Sequence, residues 1–293
     1  MGKCRMIRIG LSKDSFNKAV LERIDLLKEI DNDKDTFTEE ELRSYSGYLG
    51  SRDDERRLAS CFRFALRNMK LFEFINENRI DKVLDCGSGI GTESILFAER
   101  GLNVVACEIS REGISIGERR YQYYKSKGLS GSIVFRNTDV KNILMEDKFD
   151  IIFVQEAISH IHPAERFLET SFNAINPGGL LYINDTNALN PIARLSIFKR
   201  LKSFKYFTYD FYDQEKDRYI KQAEERVFSA SCLVEYLKKV GFKRVIAYHY
   251  GFIPVIRISN VKYCYPLGIM EEIISNIPIL KSLSLTYVIM AYK

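Results

Sequence analysis

Between Val83 and Ser94 the chain reads Val-Leu-Asp-Cys-Gly-Ser-Gly-Ile-Gly-Thr-Glu-Ser: a short apolar run, an acid, three glycines at alternate positions, and the opening of a helix. Few folds accommodate that order. An apolar strand must deliver the backbone to a sharp turn, and glycines let such a turn pass close to a ligand with no Cβ in the way. The helix that follows presents free N–H groups and the positive end of its dipole. Glycine turns also join ordinary strands to helices, so the meaning of this one depends on what surrounds it.

From Lys82 onward apolar strands alternate with helical stretches. The strand candidates are Val83–Leu84, Val104–Cys107, Ile133–Arg136, Ile151–Val154 and Leu180–Ile183, with helices over Thr92–Arg100 and Ile114–Ser126. Continuous apolar strands separated by helices predict a parallel sheet covered on both faces. A helix over Ser231–Val240 and strands over Arg244–His249 and Thr286–Ala291 complete the pattern, and a further amphipathic helix is expected to end at Ile277–Lys281. Residues 1–80 read as a helical N-terminal cap. Thr38-Glu39-Glu40-Glu41 is a capping-box pattern, and Asp53–Asn78 carries Leu58, Phe62, Ala65, Leu66, Met69 and Phe72 at helical spacing. This last helix can pack on the core, cover a ligand, or do both. Residues 81–293 form the main domain. Its stretch of about 190–230 is longer than a crossover needs and holds Phe198, Phe204, Tyr206, Phe207, Tyr209, Phe211 and Tyr212, which reads as a functional insertion.

Composition narrows the function classes. Hydrophobic residues make up 46% and charged residues 28%, enough apolar mass for a substantial core. A net charge of +5, spread among acids, does not call for nucleic acid or anionic lipid. The six cysteines (Cys4, Cys61, Cys86, Cys107, Cys232, Cys264) contain no CxxC pair and have no histidine at ligand spacing, so neither a metal site nor a disulfide framework is expected. A polar N-terminus and a late apolar run broken by Asn276, Pro278 and Lys281 predict no signal peptide and no membrane span, hence a cytoplasmic protein.

Three acids join the glycine turn. Glu108 ends the second strand, just over twenty residues after the glycines, where a carboxylate can accept from both hydroxyls of a ribose or stand as a solvated strand-end acid; the placement favours the ribose. Asp85 stands in front of the turn; it would repel a pyrophosphate and attract a cationic amino-acid tail. Asp139 follows the third strand, where it can accept from an adenine amine or serve as a helix N-cap. Asn176-Pro177-Gly178-Gly179 then leads into the fifth strand.

In that order these parts resemble the class I S-adenosylmethionine-dependent methyltransferases, over about Lys82 to Asp185. Within them the chain is most similar to the small-molecule, ubiquinone-pathway-like (type 11) group. The resemblance implies an α/β, Rossmann-like sheet of seven strands, the last antiparallel and inserted beside Arg244–His249. It implies S-adenosyl-L-methionine as cofactor, held by Asp85, Gly87, Ser88, Gly89, Gly91, Glu108, Ile109, Asp139, Val140 and Gln155. An NAD-dependent oxidoreductase would want GxGxxG and would gain nothing from Asp85 or Asp139.

The acceptor should meet the loop after the fourth strand, since carboxyl ends of parallel strands line the crevice of an open sheet. That loop, Gln155-Glu156-Ala157-Ile158-Ser159-His160-Ile161-His162-Pro163, holds two of the chain's three histidines. His160 is the candidate base, or it orients the following helix; an unperturbed imidazole has the proton affinity a base needs. Glu156 can bond an acceptor or hold the loop. His162, before Pro163, is a helix-start residue or a substrate contact, and Asp185, Asn187 and Tyr209 are further substrate candidates. His249 is expected to be structural. The leading expectation is an O- or N-methyltransferase acting on a small molecule, with a homo-oligomer possible. An RNA or protein methyltransferase and a non-catalytic S-adenosylmethionine-binding partner subunit are the alternatives.

Overall fold

The computed structural model describes residues 12–32, 37–38, 41, 53–195, 207–213, 218–225 and 227–293. A seven-stranded sheet runs through it in the order β3-β2-β1-β4-β5-β9-β8. These strands are β1 (Lys82–Cys86), β2 (Asn103–Glu108), β3 (Ser132–Asn137), β4 (Phe149–Gln155), β5 (Ile175–Thr186), β8 (Arg244–Tyr250) and β9 (Thr286–Tyr292). The first five are parallel, and β9 runs antiparallel between β5 and β8 (Ile183 opposite Ile289, Ala247 opposite Ile289). Each strand named from its apolar run is present, and the last is inserted as the resemblance implied.

Successive strand residues feed two separate cores, as the period of two requires. Val83, Val104, Ile151 and Leu180 join one, and Leu84, Val105, Ile152 and Leu181 the other. The second core is closed by α5 (Val140–Glu146), α6 (Ala164–Ala174) and α7 (Ala230–Val240). The first is closed by α1 (Lys13–Asn32), α2 (Asp54–Glu77), α3 (Thr92–Glu99), α4 (Arg111–Ser126) and α8 (Cys264–Ser275).

The N-terminal helices are therefore part of the main core. Asp53 caps α2 by accepting from the Arg56 N–H at 3.0 Å, and α1 packs along α2. An aromatic stack fixes α2 over the sheet. Phe153 on β4 lies edge-on to Phe97 (5.0 Å) and parallel to Tyr182 on β5 (5.1 Å, 12°). The Tyr182 hydroxyl donates to the Arg67 carbonyl at 3.1 Å, tying β5 to α2. Each fully buried ring here stabilises the fold by about 1.5–3 kcal/mol. Thr38 and Glu41 exchange the two reciprocal bonds of a capping box (2.8 and 3.2 Å); Glu39 and Glu40 lie outside the described residues.

Two expectations need correction. The C-terminal helix does not run to Lys281. It ends at Ser275, and Pro278–Leu283 form a 3-10 turn. Pro278 lacks an N–H and disfavours helical backbone at Ile277 before it. The insertion is more than a loop: its aromatic alternation makes strand β6 (Phe207–Asp213), which pairs antiparallel with β7 (Arg218–Glu225). Phe198, Phe204 and Tyr206 lie outside the described residues.

Candidate functional site

Strand order reverses between β1 and β4, which opens a crevice at the carboxyl ends of these strands. The glycine turn leaves β1 at that point. Gly87, Gly89 and Gly91 all take left-handed backbone (φ 74°, 54° and 75°), which a side chain would strain. Gly87 and Ser88 donate their N–H groups to the Cys107 carbonyl (2.8 and 3.0 Å), pinning the turn to β2. Glu108 completes the pin. Its carboxylate accepts from the Gly89 N–H and the Ser110 N–H, both at 2.9 Å. Behind the turn, fully buried Arg120 donates to the Ile90 carbonyl (2.7 Å) and the Thr92 hydroxyl (2.8 Å).

Asp85, next to last on β1, is 3% exposed and accepts from the Ser94 hydroxyl at 2.6 Å. Burial pushes its carboxyl up to about 7, and the Ser94 hydrogen bond offsets part of that rise. A buried carboxyl beside a hydroxyl, rather than beside a cation, is suited to receive one.

A cavity of about 600 Å³ opens directly on this turn, within the usual size range of small-molecule sites. The sheet contributes Asp85, Gly87, Ser88, Gln155, Glu156 and Thr186. The helical wall contributes Arg23 from α1 and Arg63 and Arg67 from α2. The far side is Tyr250, Gly251 and Ile253, a segment whose N–H groups (Gly251, Phe252, Ile253) all donate to the buried Glu271 carboxylate at 2.7–3.2 Å.

The end of β4 is closely wired. Gln155 Oε1 accepts from Asn68 on α2 (3.1 Å), and its amide donates to Glu93 (3.2 Å), which pairs with Arg23 at 2.6 Å. Glu156 is the one non-glycine residue with left-handed φ (53°) among the described residues, and it meets Arg67 at 2.7 Å. The Arg67 charge, first among the causes, holds the Glu156 carboxyl below the usual carboxylate range. Next comes a 3-10 turn, Ile158–His160, with β7 of the hairpin lying against it. His160 is exposed there and does not line the cavity.

The remaining sequence candidates are dispersed. Asp139 caps α5 through the Lys141 N–H (2.9 Å) and pairs with Lys141 Nζ (3.1 Å), the N-cap alternative. Val140 is buried in the second core, while Ile109 is 67% exposed just past Glu108. Asp185 is buried, accepts from the Ser159 and Thr186 N–H groups (3.3 and 2.6 Å), and is pushed by burial up to about 6. Asn187 is fully buried and donates to Lys281, Ser284 and the Ser284 hydroxyl, an internal brace for the 3-10 turn. The His162 carbonyl accepts from Lys141 Nζ at 2.6 Å. His249 is half-buried at 3.0 Å from the Ser284 hydroxyl. Tyr209 lies on β6 opposite Gln222.

Sequence reasoning missed Arg23, Arg63, Arg67 and Glu271. For Arg63 and Arg67 a signal existed: two like charges one helical turn apart, interleaved with Phe62 and Leu66 on a core-facing helix.

The sheet and its glycine-turn crevice define a class I methyltransferase-type cofactor fold. A family model described as a methyltransferase domain matches residues 52–247, two thirds of the chain, and the chain belongs to this family of S-adenosylmethionine-dependent methyltransferases. It is 30% identical over 118 residues to a ubiquinone biosynthesis O-methyltransferase of Rhizobium rhizogenes, covering 40% of this chain and 46% of that protein. It is 29% identical over 109 residues to a tRNA 5-carboxymethoxyuridine methyltransferase of Escherichia coli K12, covering 36% and 41%. The matches thus span less than half of these curated relatives. A solved S-adenosylmethionine-dependent methyltransferase from Archaeoglobus fulgidus shares the fold, with a TM-score of 0.53 at 15% identity over 86% of this chain and 99% of that one.

The residues present fit the family's cofactor. Ser88 Oγ is buried with no hydrogen-bond partner among the described residues, three left-handed glycines leave the turn free of side chains, and the Asp85 carboxyl is buried beside them. Among the described residues no group of acids, histidines and cysteines is arranged to hold a metal, and no helix is long and apolar enough to cross a membrane.

Proposed function

We propose that this protein transfers a methyl group to an oxygen or nitrogen of a small-molecule acceptor. The observation that carries the reading is the cavity. It begins at the glycine turn, ends under α2, and at about 600 Å³ is of a size for a cofactor's tail and a compact acceptor. S-adenosylmethionine supplies an electrophilic methyl on a sulfonium.

In this reading Asp85 takes the ammonium of the cofactor's amino-acid tail, Glu108 the ribose hydroxyls, and the turn from Gly87 to Gly91 lies along the backbone side. Ile109, exposed beyond Glu108, flanks the adenine, and Asp139 offers its remaining acceptor capacity to the ring amine while capping α5. Gln155 and Thr186 form the floor on which acceptor and methyl meet. The protein's main task is to hold two reactants in line a few ångströms apart and to keep water out. Glu156 is committed to Arg67 and His160 stands outside the cavity, so His160 takes the proton only of a hydroxyl acceptor that extends past Glu156 to the 3-10 turn; an amine acceptor needs no such group.

Calorimetry tests the cofactor site. S-adenosylhomocysteine should bind the wild-type protein, and Glu108→Ala should weaken it by at least about tenfold, since the carboxylate both contacts the ribose and pins Gly89. Unchanged affinity in Glu108→Ala would overturn the site. Incubation with methyl-labelled cofactor and fractionated metabolites tests the acceptor class, and label appearing only in RNA or protein would overturn it.

A further inference from the structure

The cavity is unevenly charged. Near the glycine turn it presents Asp85 and the Glu93–Arg23 pair, Glu156 and Glu271 line it further along, and on the α2 wall it presents Arg63 and Arg67. The two arginines stand one helical turn apart on the same helix face, where like charges repel. The Arg63 guanidinium is pushed below its usual range, first by burial and then by Arg67.

The other two cavity arginines each face a carboxylate: Arg23 meets Glu93 at 2.6 Å and Arg67 meets Glu156 at 2.7 Å. Arg63 has a different partner. Its Nη1 donates to the Val255 carbonyl at 2.6 Å, which aims the guanidinium; the Glu156 charge acts on it as well, but that carboxylate is bonded to Arg67. Arg67 Nε is an unsatisfied donor on the same wall, buried without a hydrogen-bond partner among the described residues. Leu27, Phe62, Leu66, Phe153 and Leu285 supply apolar surface in the same cavity. A ligand matched to such a lining has an apolar body and an anionic end, which a guanidinium can grip bidentately.

We propose that the methyl acceptor is a small anion, bearing a carboxylate or phosphate, and that Arg63 with Arg67 beside it holds that group. This rests on the methyltransferase reading and adds the chemical class of the acceptor. A carboxylate also occurs on the cofactor's own amino-acid tail, so the test must separate the two sources.

S-adenosylhomocysteine binding by the wild-type protein comes first and checks the methyltransferase reading alone. With that ligand saturating, benzoate, phenyl phosphate and neutral benzamide are titrated by calorimetry. At least one anion should bind about tenfold or more tightly than benzamide. Arg63→Met should remove that margin while leaving affinity for S-adenosylhomocysteine within about twofold. Arg63→Lys, which keeps the charge but not the fork, should retain only part of the margin and serves if the Met variant does not fold. Equal binding of benzamide and both anions, or a margin that survives in the Arg63 variants, overturns the proposal. So does a loss of S-adenosylhomocysteine affinity in Arg63→Met with binding of 5′-methylthioadenosine, which has no carboxylate, unchanged: Arg63 would then serve the cofactor.

Discussion

Arg67 Nη1 lies 2.7 Å from Glu156 Oε1, and this contact joins the N-terminal helices to the loop that leaves β4. The two residues are 89 positions apart in the chain. Glu156 is held there in left-handed backbone, with its N–H donating to the Asn184 carbonyl at 2.7 Å. Three elements thus meet at one residue: α2, the end of β4, and β5.

That backbone gives a stability test. Glu156→Ala and Glu156→Gly both lose the Arg67 pair, but only glycine takes a φ of 53° without strain. The glycine variant should therefore be the more stable of the two by about 1 kcal/mol in urea unfolding. An alanine variant of equal or greater stability would mean that the positive φ is not imposed by the fold.

Asp85 should make both stability and cofactor binding depend on pH. Its carboxyl is raised to about 7 in the folded protein and has an ordinary value near 4 when unfolded. Between those values the folded state binds more protons, so stability present at low pH is lost as pH rises from about 4 to about 7. Asp85→Asn should flatten much of that slope in thermal melts. A smaller slope, ending near 6, should remain from Asp185, whose carboxyl burial raises in the same direction. The ammonium of S-adenosylhomocysteine needs the ionised carboxylate, so affinity should rise with pH up to about 7. Calorimetry at pH 6 in buffers of different ionisation enthalpy should report a proton released on binding; no release would refute the pairing.

His160 is expected to act on turnover and not on binding. With a hydroxyl acceptor that extends out of the cavity to the 3-10 turn, His160→Ala should lower kcat by about a hundredfold and leave S-adenosylhomocysteine affinity unchanged. Steady-state kinetics with saturating acceptor decides this, and a kcat near wild type would make His160 a structural member of its 3-10 turn.

Arg120 should support the glycine turn from behind. Arg120→Met leaves the buried Ile90 carbonyl and Thr92 hydroxyl without their donor. Loosening the turn at a cost of about 1–3 kcal/mol should weaken S-adenosylhomocysteine binding by about tenfold or more. Amide hydrogen exchange over residues 90–93 should speed up in the same variant, and protection as in the wild type would rule the idea out.

The continuous apolar runs and the glycines between Gly87 and Gly91 made the sheet, its two covered faces and the crevice legible from the sequence. These are local signals: a strand buried on both sides must be apolar throughout, and a left-handed turn at Gly87 requires glycine. Glu108 was legible for the same reason, because its place at the end of β2 is set by the spacing from the turn. The C-terminal helix was misjudged because Pro278 stops a pattern that hydrophobic periodicity alone would extend.

Only tertiary structure decided what the cavity contains. Arg23, Arg63 and Arg67 come from helices that precede the sheet, and they reach the cavity because α2 is docked by Phe153, Tyr182 and the Arg67 carbonyl. Glu271 and Leu285 arrive from the other end of the chain. The raised carboxyl of Asp85 is likewise a property of burial and not of its neighbours in sequence. The sequence by itself determined the frame that receives the cofactor, since strand period, glycine conformation and the order of strand and helix act over a few residues. The packing of distant helices determined the charge and shape of the rest of the cavity, because those depend on contacts that no local pattern encodes.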